Sequence, residues 1–493
     1  MNSNHLQSRV IMGFAIATAA IVTLFPQFSV YKIAELTNLV IAQLDDEVIL
    51  LSTLAFVTCA VLCLSPLGKV KLGNQQPEFS FISWLVMLFT TGMGSGLIFW
   101  GVAEPIFHFA NMPPVEVVND AQDTALALTY FHWGVHAWSL YALAGLLMGW
   151  LAYVKQRPMR VSTSFSRRRT GWLGVVDLIA VLAILFGIAG VLANTMALVE
   201  QGVRSLTGTT ADLTNLRIGL TIVIGVLFTF SSVLGLERGI KRLSSFNIWL
   251  MVALLGFVLV NVDIAGVIGR LASSLEAYIA ILPQVSLSAI EGGEKWSQGW
   301  TVIYLIWWIA WAPFVGPFIA RISRGRTVRQ FLFCTVMVPT LASIVWFSSF
   351  AGAVFESSYL NEVVTAVQQD YTKGLFSFFE HLPLSGVLSI TALVLLLTFV
   401  ISSSDSAIYA AGMLTGDERT SSKVSWSVIV VVMGLALVTI NDVDLNKQVA
   451  IAGAIPFTLV MVCQAIAVLI EKWLPSKFAT RSEQSDSGSQ PQI

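Results

Sequence analysis

Six aromatic side chains lie where a membrane-spanning chain normally has few. Trp133, Trp138 and Tyr141 fall near the middle of one long apolar stretch, and Trp307, Trp308 and Trp311 near the middle of another. Tryptophan and tyrosine usually gather at the water interfaces of a bilayer, and Trp84, Trp150, Trp172, Trp296, Trp346 and Trp473 fit that pattern near the ends of apolar stretches. An indole at mid-membrane depth needs a partner for its N–H, so it faces protein or a cavity. Ring faces attract cations by about 2 kcal/mol or more when desolvated. A methylated ammonium has no strong N–H to donate, and rings suit it better than carboxylates or hydroxyls alone.

Two interruptions accompany these rings. Thr90-Thr91-Gly92-Met93-Gly94-Ser95-Gly96 breaks one apolar helix with glycine, and Trp307 through Pro317 carries Pro313, Gly316 and Pro317 inside another. Unpaired backbone groups cost several kcal/mol in hydrocarbon, so broken helices persist only where they are buried in protein or line a cavity. A pair of interrupted helices in the two halves of a chain points to a transporter's central site. The free N–H groups near Gly92 to Gly96 suit a carboxylate, because helix N-termini favour anions.

A third polar feature is Phe399-Val400-Ile401-Ser402-Ser403-Ser404-Asp405-Ser406. Hydroxyls and freed carbonyls are the ligands hard cations need, whereas packing alone asks for fewer polar groups. Asp405 at membrane depth is a functional candidate or a structural acceptor. His132 and His136, four apart, form half a metal site with no third ligand apparent in the apolar core, so packing is the expected role. Arg321-Ile322-Ser323-Arg324-Gly325-Arg326 reads as an anchor at the cytoplasmic face. Cys59, Cys63, Cys334 and Cys463 sit in apolar stretches without disulfide or zinc spacing.

The elements that position these groups are membrane helices. Of 493 residues, 56% are hydrophobic and only 12% charged, and mean hydropathy is +0.77. The net charge of -1 gives no reason to expect nucleic acid, and no phosphate-binding loop suggests ATP. No cofactor is expected. Twelve spans are expected near 10–29, 47–66, 80–106, 125–154, 172–205, 216–235, 245–268, 298–321, 329–354, 386–413, 424–441 and 448–471. The first is expected to be an uncleaved span rather than a signal peptide. With the N-terminus cytoplasmic, 21 of the 28 Lys and Arg fall inside and seven outside, Arg204, Arg217, Arg270 and Lys447 among the latter. This bias predicts both termini inside.

The positions of the breaks divide the chain into two N-terminal helices (1–79), a first five-helix repeat (80–268), an amphipathic helix on the membrane surface (269–297), a second repeat (298–473) and a disordered cytoplasmic tail (474–493). The expected fold is all-α and integral to the membrane, a leucine-transporter-like inverted repeat of five plus five helices with two extra helices in front.

At these residues the chain resembles the betaine–carnitine–choline transporter family over nearly its whole length. The motif running from Trp300-Thr301-Val302-Ile303-Tyr304 through Trp307-Trp308 to Arg321-Ile322-Ser323-Arg324-Gly325-Arg326 carries the likeness, together with Gly92-Met93-Gly94, Ala103-Glu104-Pro105 and His132-Trp133. The family pattern has a further Trp where this chain has Leu305. The resemblance implies a cage of Trp133, Trp138, Tyr141 and Trp308, with Trp307 and Trp311 on the cytoplasmic path and Met93, Gly94 and Gly96 beside the cargo. It implies one sodium held near Thr90, Met93, Phe399, Ser402 and Ser403. The family's other sodium site uses hydroxyls in span five, and Phe186 to Asn194 has none. The sodium-independent carnitine exchangers carry methionine where this chain has Val315, and choline carriers place an aspartate at the position of Gly96.

The implied function is import of a small quaternary-ammonium zwitterion, glycine betaine first, by sodium symport through a homotrimer in the bacterial inner membrane. Proton coupling, or exchange of carnitine, choline or dimethylsulfoniopropionate, stays open, and a channel or intramembrane enzyme is the remote alternative. Long charged termini mark the osmosensing members, and the short ones here lead us to expect little activation by osmotic upshift.

Overall fold

The computed structural model describes residues 3–93, 95–166, 173–235 and 241–473. Gly94, the basic run Arg167 to Arg169 and the tail 474–493, which was expected to be disordered, lie outside the described residues. Among those described, the only extended pairing is an isolated bridge between Lys71 and Thr327. Among the described residues twelve helices are long and apolar enough to cross a bilayer, and a bent pair would make a thirteenth span. The expected all-α membrane class is the observed one.

The chain begins with α1 (Ser3–Leu24) and α2 (Pro26–Leu64). The bent pair follows, α3 (Phe81–Met93) and α4 (Gly96–Ala110), whose axes differ by 59°. Next come α5 (Ala121–Trp133), α6 (Val135–Gly149), α7 (Leu173–Thr207), α8 (Thr214–Leu234), α9 (Lys241–Val260) and α10 (Ile264–Val285). After the short α11 (Glu294–Ser297) and a π-helical turn at Gln298–Val302 the chain enters α12 (Ile303–Ile322), then α13 (Val328–Phe355). It closes with α14 (Leu360–Gln369), α15 (Gly374–Glu380), α16 (Ser385–Thr415), α17 (Thr420–Ile440), α18 (Val443–Ala452) and α19 (Ala454–Trp473).

The first span does not run from 10 to 29. It stops at Leu24, and Pro26 starts a 39-residue helix that continues through the expected loop and bends at Leu44. Proline suits a helix's first turn, where its missing N–H has no partner to lose. Val30, Ala34, Thr37 and Ile41 then form a buried stripe at helical spacing. Span seven likewise ends at Val260 rather than 268, because Asp263 caps a new helix by accepting from the Ala265 N–H. That helix, α10, covers the segment expected at the membrane surface.

The first expected break is present, between Met93 and Gly96. The second is absent: α12 is continuous through Pro313 and Pro317. Its glycine serves a different purpose. A Cβ on Gly316 would lie 3.1 Å from Ala144, and one on Gly145 would lie 2.6 Å from Ile319. The pair lets α6 and α12 cross closely, the usual role of small residues between membrane helices. A break that the sequence did not suggest falls at Gly134, which separates α5 from α6 between Trp133 and Trp138. A Cβ there would sit 2.3 Å from the Tyr130 carbonyl oxygen.

The basic segment after α12 is folded against α3. Arg321 pairs with Glu78 at 2.6 Å, Arg326 donates to the Phe79 carbonyl at 2.8 Å, and its guanidinium lies 4.7 Å from the Trp84 ring centre. The Trp84 indole in turn donates to Ser323 Oγ at 2.8 Å. At the opposite end of the bundle Arg270 on α10 reaches Asp120 at 2.7 Å, Asp123 at 3.0 Å and Glu356 at 2.6 Å, binding α10 to the starts of α5 and the loop after α13.

Candidate functional site

A cavity opens at the break between α3 and α4. Gly92, Met93, Ser95 and Gly96 form one wall. Trp133 and Tyr141, from the two sides of the Gly134 break, form the next, and Tyr304, Trp307, Trp308 and Trp311 of α12 face them. Phe99 and Trp100 close one end, while Val191, Asn194, Thr195 and Leu198 of α7 complete the lining. No lining side chain is ionised at neutral pH.

The expected cage residues converge. The Trp308 ring centre lies 5.8 Å from Trp133, 5.2 Å from Trp138 and 4.8 Å from Tyr141. Trp138 does not line the cavity: it stands edge-on behind Tyr141 at 5.6 Å and supports the cage from outside. The glycines make room for these rings. A Cβ on Gly92 would fall 2.7 Å from the Trp138 ring and one on Gly96 2.7 Å from the Trp133 ring. Any side chain at Gly96 therefore has to displace Trp133 as well as occupy part of the cavity.

Trp308 has a second contact. Its Nε1–H donates to the carbonyl of His132, the penultimate residue of α5, at 3.1 Å. Carbonyls in a helix's last turn have no partner within the helix, so this indole caps α5 where it breaks. Among the described residues the Nε1–H groups of Trp138 and Trp311 find no acceptor, and Asn194 Oδ1 finds no donor. Ser95 at the start of α4 gives no side-chain cap to the helix. Its Oγ pairs instead with Thr195 Oγ1 at 2.8 Å. Among the described residues no side chain caps the first turn of α4, which begins at cavity-lining Gly96, and helix N-termini of this kind favour anions.

Behind the cage lies a buried carboxylate that the sequence reading did not use. Glu104 Oε2 accepts from Trp133 Nε1 at 2.7 Å and from Tyr304 Oη at 2.8 Å. Its Oε1 is 2.7 Å from His132 Nδ1 and 3.4 Å from His108 Nε2. With its proton on Nδ1, His132 accepts at Nε2 from Thr301, 2.9 Å away on the π-helical turn. Glu104 thereby fixes one ring from α5 and one from α12 to α4. A ring whose N–H or O–H donates to a carboxylate gains electron density, so both Trp133 and Tyr304 present more negative faces to a cation.

The histidine expectation needs correction. A third ligand does exist, since one donor atom each from Glu104, His108 and His132 lie within 4.8 Å of one another. His136 is not part of the group and pairs with Ser286 Oγ at 3.2 Å. Glu104 pairs directly with each histidine, and the 2.7 Å contact leaves no room for an ion between Glu104 and His132. The chemical signal was the His108 spacing, four residues after Glu104 on one helix face.

The serine run is buried in α16, which packs against α3. Ser402 Oγ donates to the Phe399 carbonyl at 2.9 Å and receives Asn247 Nδ2 at 3.4 Å. Ser403 Oγ is buried without a partner among the described residues, and Thr90 Oγ1 donates to the Val86 carbonyl at 2.9 Å. Two oxygens at the Ser402–Phe399 distance can share one hard cation, and the lone Ser403 hydroxyl would complete part of its shell. Asp405 accepts from Ser231 of α8 and from Ser406 at 3.3 Å, which ties α16 to α8.

The profile described as BCCT, betaine/carnitine/choline family transporter, matches residues 8–474. A probable glycine betaine transporter of Desulfitobacterium hafniense is 34% identical over 478 residues, covering 92% of this chain and 95% of the relative. Glycine betaine transporter 1 of Vibrio parahaemolyticus is 35% identical over 453 residues, 87% and 86% of the two chains. An ectoine/hydroxyectoine transporter of Virgibacillus pantothenticus is 32% identical over 428 residues, 84% and 85%.

Proposed function

The chain belongs to the betaine/carnitine/choline transporter family, and on that premise we propose that it imports glycine betaine or a close quaternary-ammonium zwitterion by symport, with sodium as the first candidate ion. It is a membrane transporter and not an enzyme. The observation that carries the substrate reading is the lining itself. Ring faces of Trp133, Tyr141 and Trp308 take the methylated ammonium, and the uncapped start of α4 takes the carboxylate. A cavity without an ionised wall suits a cargo of zero net charge better than choline, whose charge would go unbalanced there.

In this reading Glu104 does not touch the cargo. It holds Trp133 and Tyr304 in place and enriches their faces. Sodium at Ser402, Ser403 and the Phe399 carbonyl, beside Thr90 and Met93 of α3, would lock α16 to the broken helix and so favour the cargo-binding form. Assembly as a homotrimer in the bacterial inner membrane, with both termini cytoplasmic, belongs to the same proposal.

The test is uptake into proteoliposomes of glycine betaine, carnitine, choline and dimethylsulfoniopropionate, each with sodium, with a proton gradient and with neither. Betaine accumulation that requires sodium is expected. Uptake indifferent to sodium overturns the ion assignment and leaves proton coupling or exchange. Ectoine belongs in the same panel, because one relative is named for it and its delocalised cation also suits ring faces.

A further inference from the structure

A second aromatic box lies next to the central cavity, and the protein fills it with its own cation. The Lys447 Nζ of α18 is 4.7 Å from the Trp100 ring centre, 4.8 Å from Tyr371 and 5.2 Å from Trp300. Its side chain is only 6% exposed. Asp444 Oδ1 accepts from Lys447 at 2.9 Å and from the Tyr371 hydroxyl at 2.8 Å, so the ammonium is balanced on one side by a carboxylate and surrounded on the others by rings.

The position of the box gives this arrangement a role in transport. Trp100 belongs both to the box and to the central cavity. Tyr371 belongs both to the box and to a polar hollow that also holds Glu200, Arg204, Asp370 and Asp442. By the distribution of Lys and Arg, this hollow is on the outer side. Ring contacts continue inward from the box, Trp100 to Tyr304 at 6.0 Å, Tyr304 to Trp133 at 5.6 Å and Trp133 to Trp308 at 5.8 Å. Cargo moving along these rings from the hollow meets a lysine ammonium in the first place its own ammonium would fit.

We propose that Lys447 is a tethered cation guarding this route and that it selects zwitterions over net cations. A zwitterion offers Lys447 a carboxylate while its ammonium takes the ring faces, so the two positive charges part at little cost. Choline has no anion to offer and must approach a fixed positive charge in a poorly screened site. The proposal rests on the betaine reading of the central cavity and adds to it a charge filter one ring further out.

The experiment uses full-length reconstituted protein, labelled glycine betaine uptake and choline as competitor. The readout is the ratio of the choline inhibition constant to the betaine KM. Lys447→Met is expected to lower this ratio about tenfold and Lys447→Arg to preserve it. Asp444→Asn strips the ammonium of its balancing charge and is expected to raise the ratio about threefold, the opposite direction. It carries the test alone if Lys447→Met is inactive. An unchanged ratio in an active Lys447→Met protein, or a fall in Asp444→Asn, overturns the filter and makes Lys447 a structural tie between α18 and α4. Trp308→Leu separates the two readings. It is expected to weaken both ligands in proportion and leave the ratio intact, so a filter failure leaves that weakening in place, whereas unmoved affinities in Trp308→Leu condemn the cage.

Discussion

Trp308 offers the sharpest test of the cage, because its two contacts affect two different measurements. Trp308→Leu keeps apolar bulk and removes the ring. The lost cation–face attraction is about 2 kcal/mol, or roughly 30-fold in Kd. The ring pairs with Trp133, Trp138 and Tyr141 exist with or without cargo. Their loss, about 0.5–1.5 kcal/mol each, lowers melting temperature and leaves Kd alone. Trp308→Phe retains a face but not the N–H that caps the His132 carbonyl. It should weaken binding only about fivefold and cost about 1 kcal/mol of stability for the orphaned acceptor. The assay is equilibrium binding of labelled glycine betaine to purified wild type, Phe and Leu proteins, with melting curves on the same samples. Equal dissociation constants across the three, with melting temperatures that fall, would refute the cage and reduce the rings to packing.

Four further outcomes follow from the same geometry. Glu104→Gln should weaken betaine binding about tenfold, since a neutral acceptor polarises Trp133 and Tyr304 less; an unchanged Kd in folded protein would remove the carboxylate from the cage. Ser402→Ala with Ser403→Ala should raise the sodium concentration for half-maximal uptake about tenfold while leaving the fold intact, and an unmoved sodium dependence would place the ion elsewhere. Gly96→Asp should impair betaine uptake because its Cβ meets Trp133 at 2.7 Å; uptake of choline by that variant, measured beside wild type, tests whether the new carboxylate then balances a cation. Gly145→Val should reduce the yield of folded protein sharply, because its Cβ meets Ile319 at 2.6 Å where α6 and α12 cross, and normal yield and melting would contradict the close crossing.

What the sequence disclosed followed the strength of each local signal. Three glycines within five residues could not continue an apolar helix, and the break at Gly92 to Gly96 was legible for that reason. The rings at 133, 141, 307, 308 and 311 were legible because membrane depth is unusual for them, and they do line one cavity. The proline run in α12 misled, since a helix tolerates Pro313 and Pro317 when neighbouring helices enclose it. Gly134 is a single residue between two good helices, and only the collision awaiting its Cβ reveals why the chain breaks there. Glu104 joins side chains 28 and 200 residues away, and no periodicity encodes such a meeting. Lys447 was visible only as one of the seven basic residues assigned outside, because its box draws on three separate segments.

The length of α2 bears on how the protein sits among lipids. At about 1.5 Å per residue its 39 residues reach about 58 Å, nearly twice the roughly 30 Å hydrocarbon thickness. The bend at Leu44 leaves residues 45–64, enough for one crossing, and a preceding arm that cannot share the same axis. That arm turns Phe28, Tyr31, Leu36 and Leu39 away from the protein and keeps Val30, Ala34 and Ile41 against it. An arm of this kind displaces acyl chains in one leaflet and not in the other. Where such an arm lies along one leaflet, the packing and curvature of that leaflet become mechanical loads on any rearrangement that shifts α2.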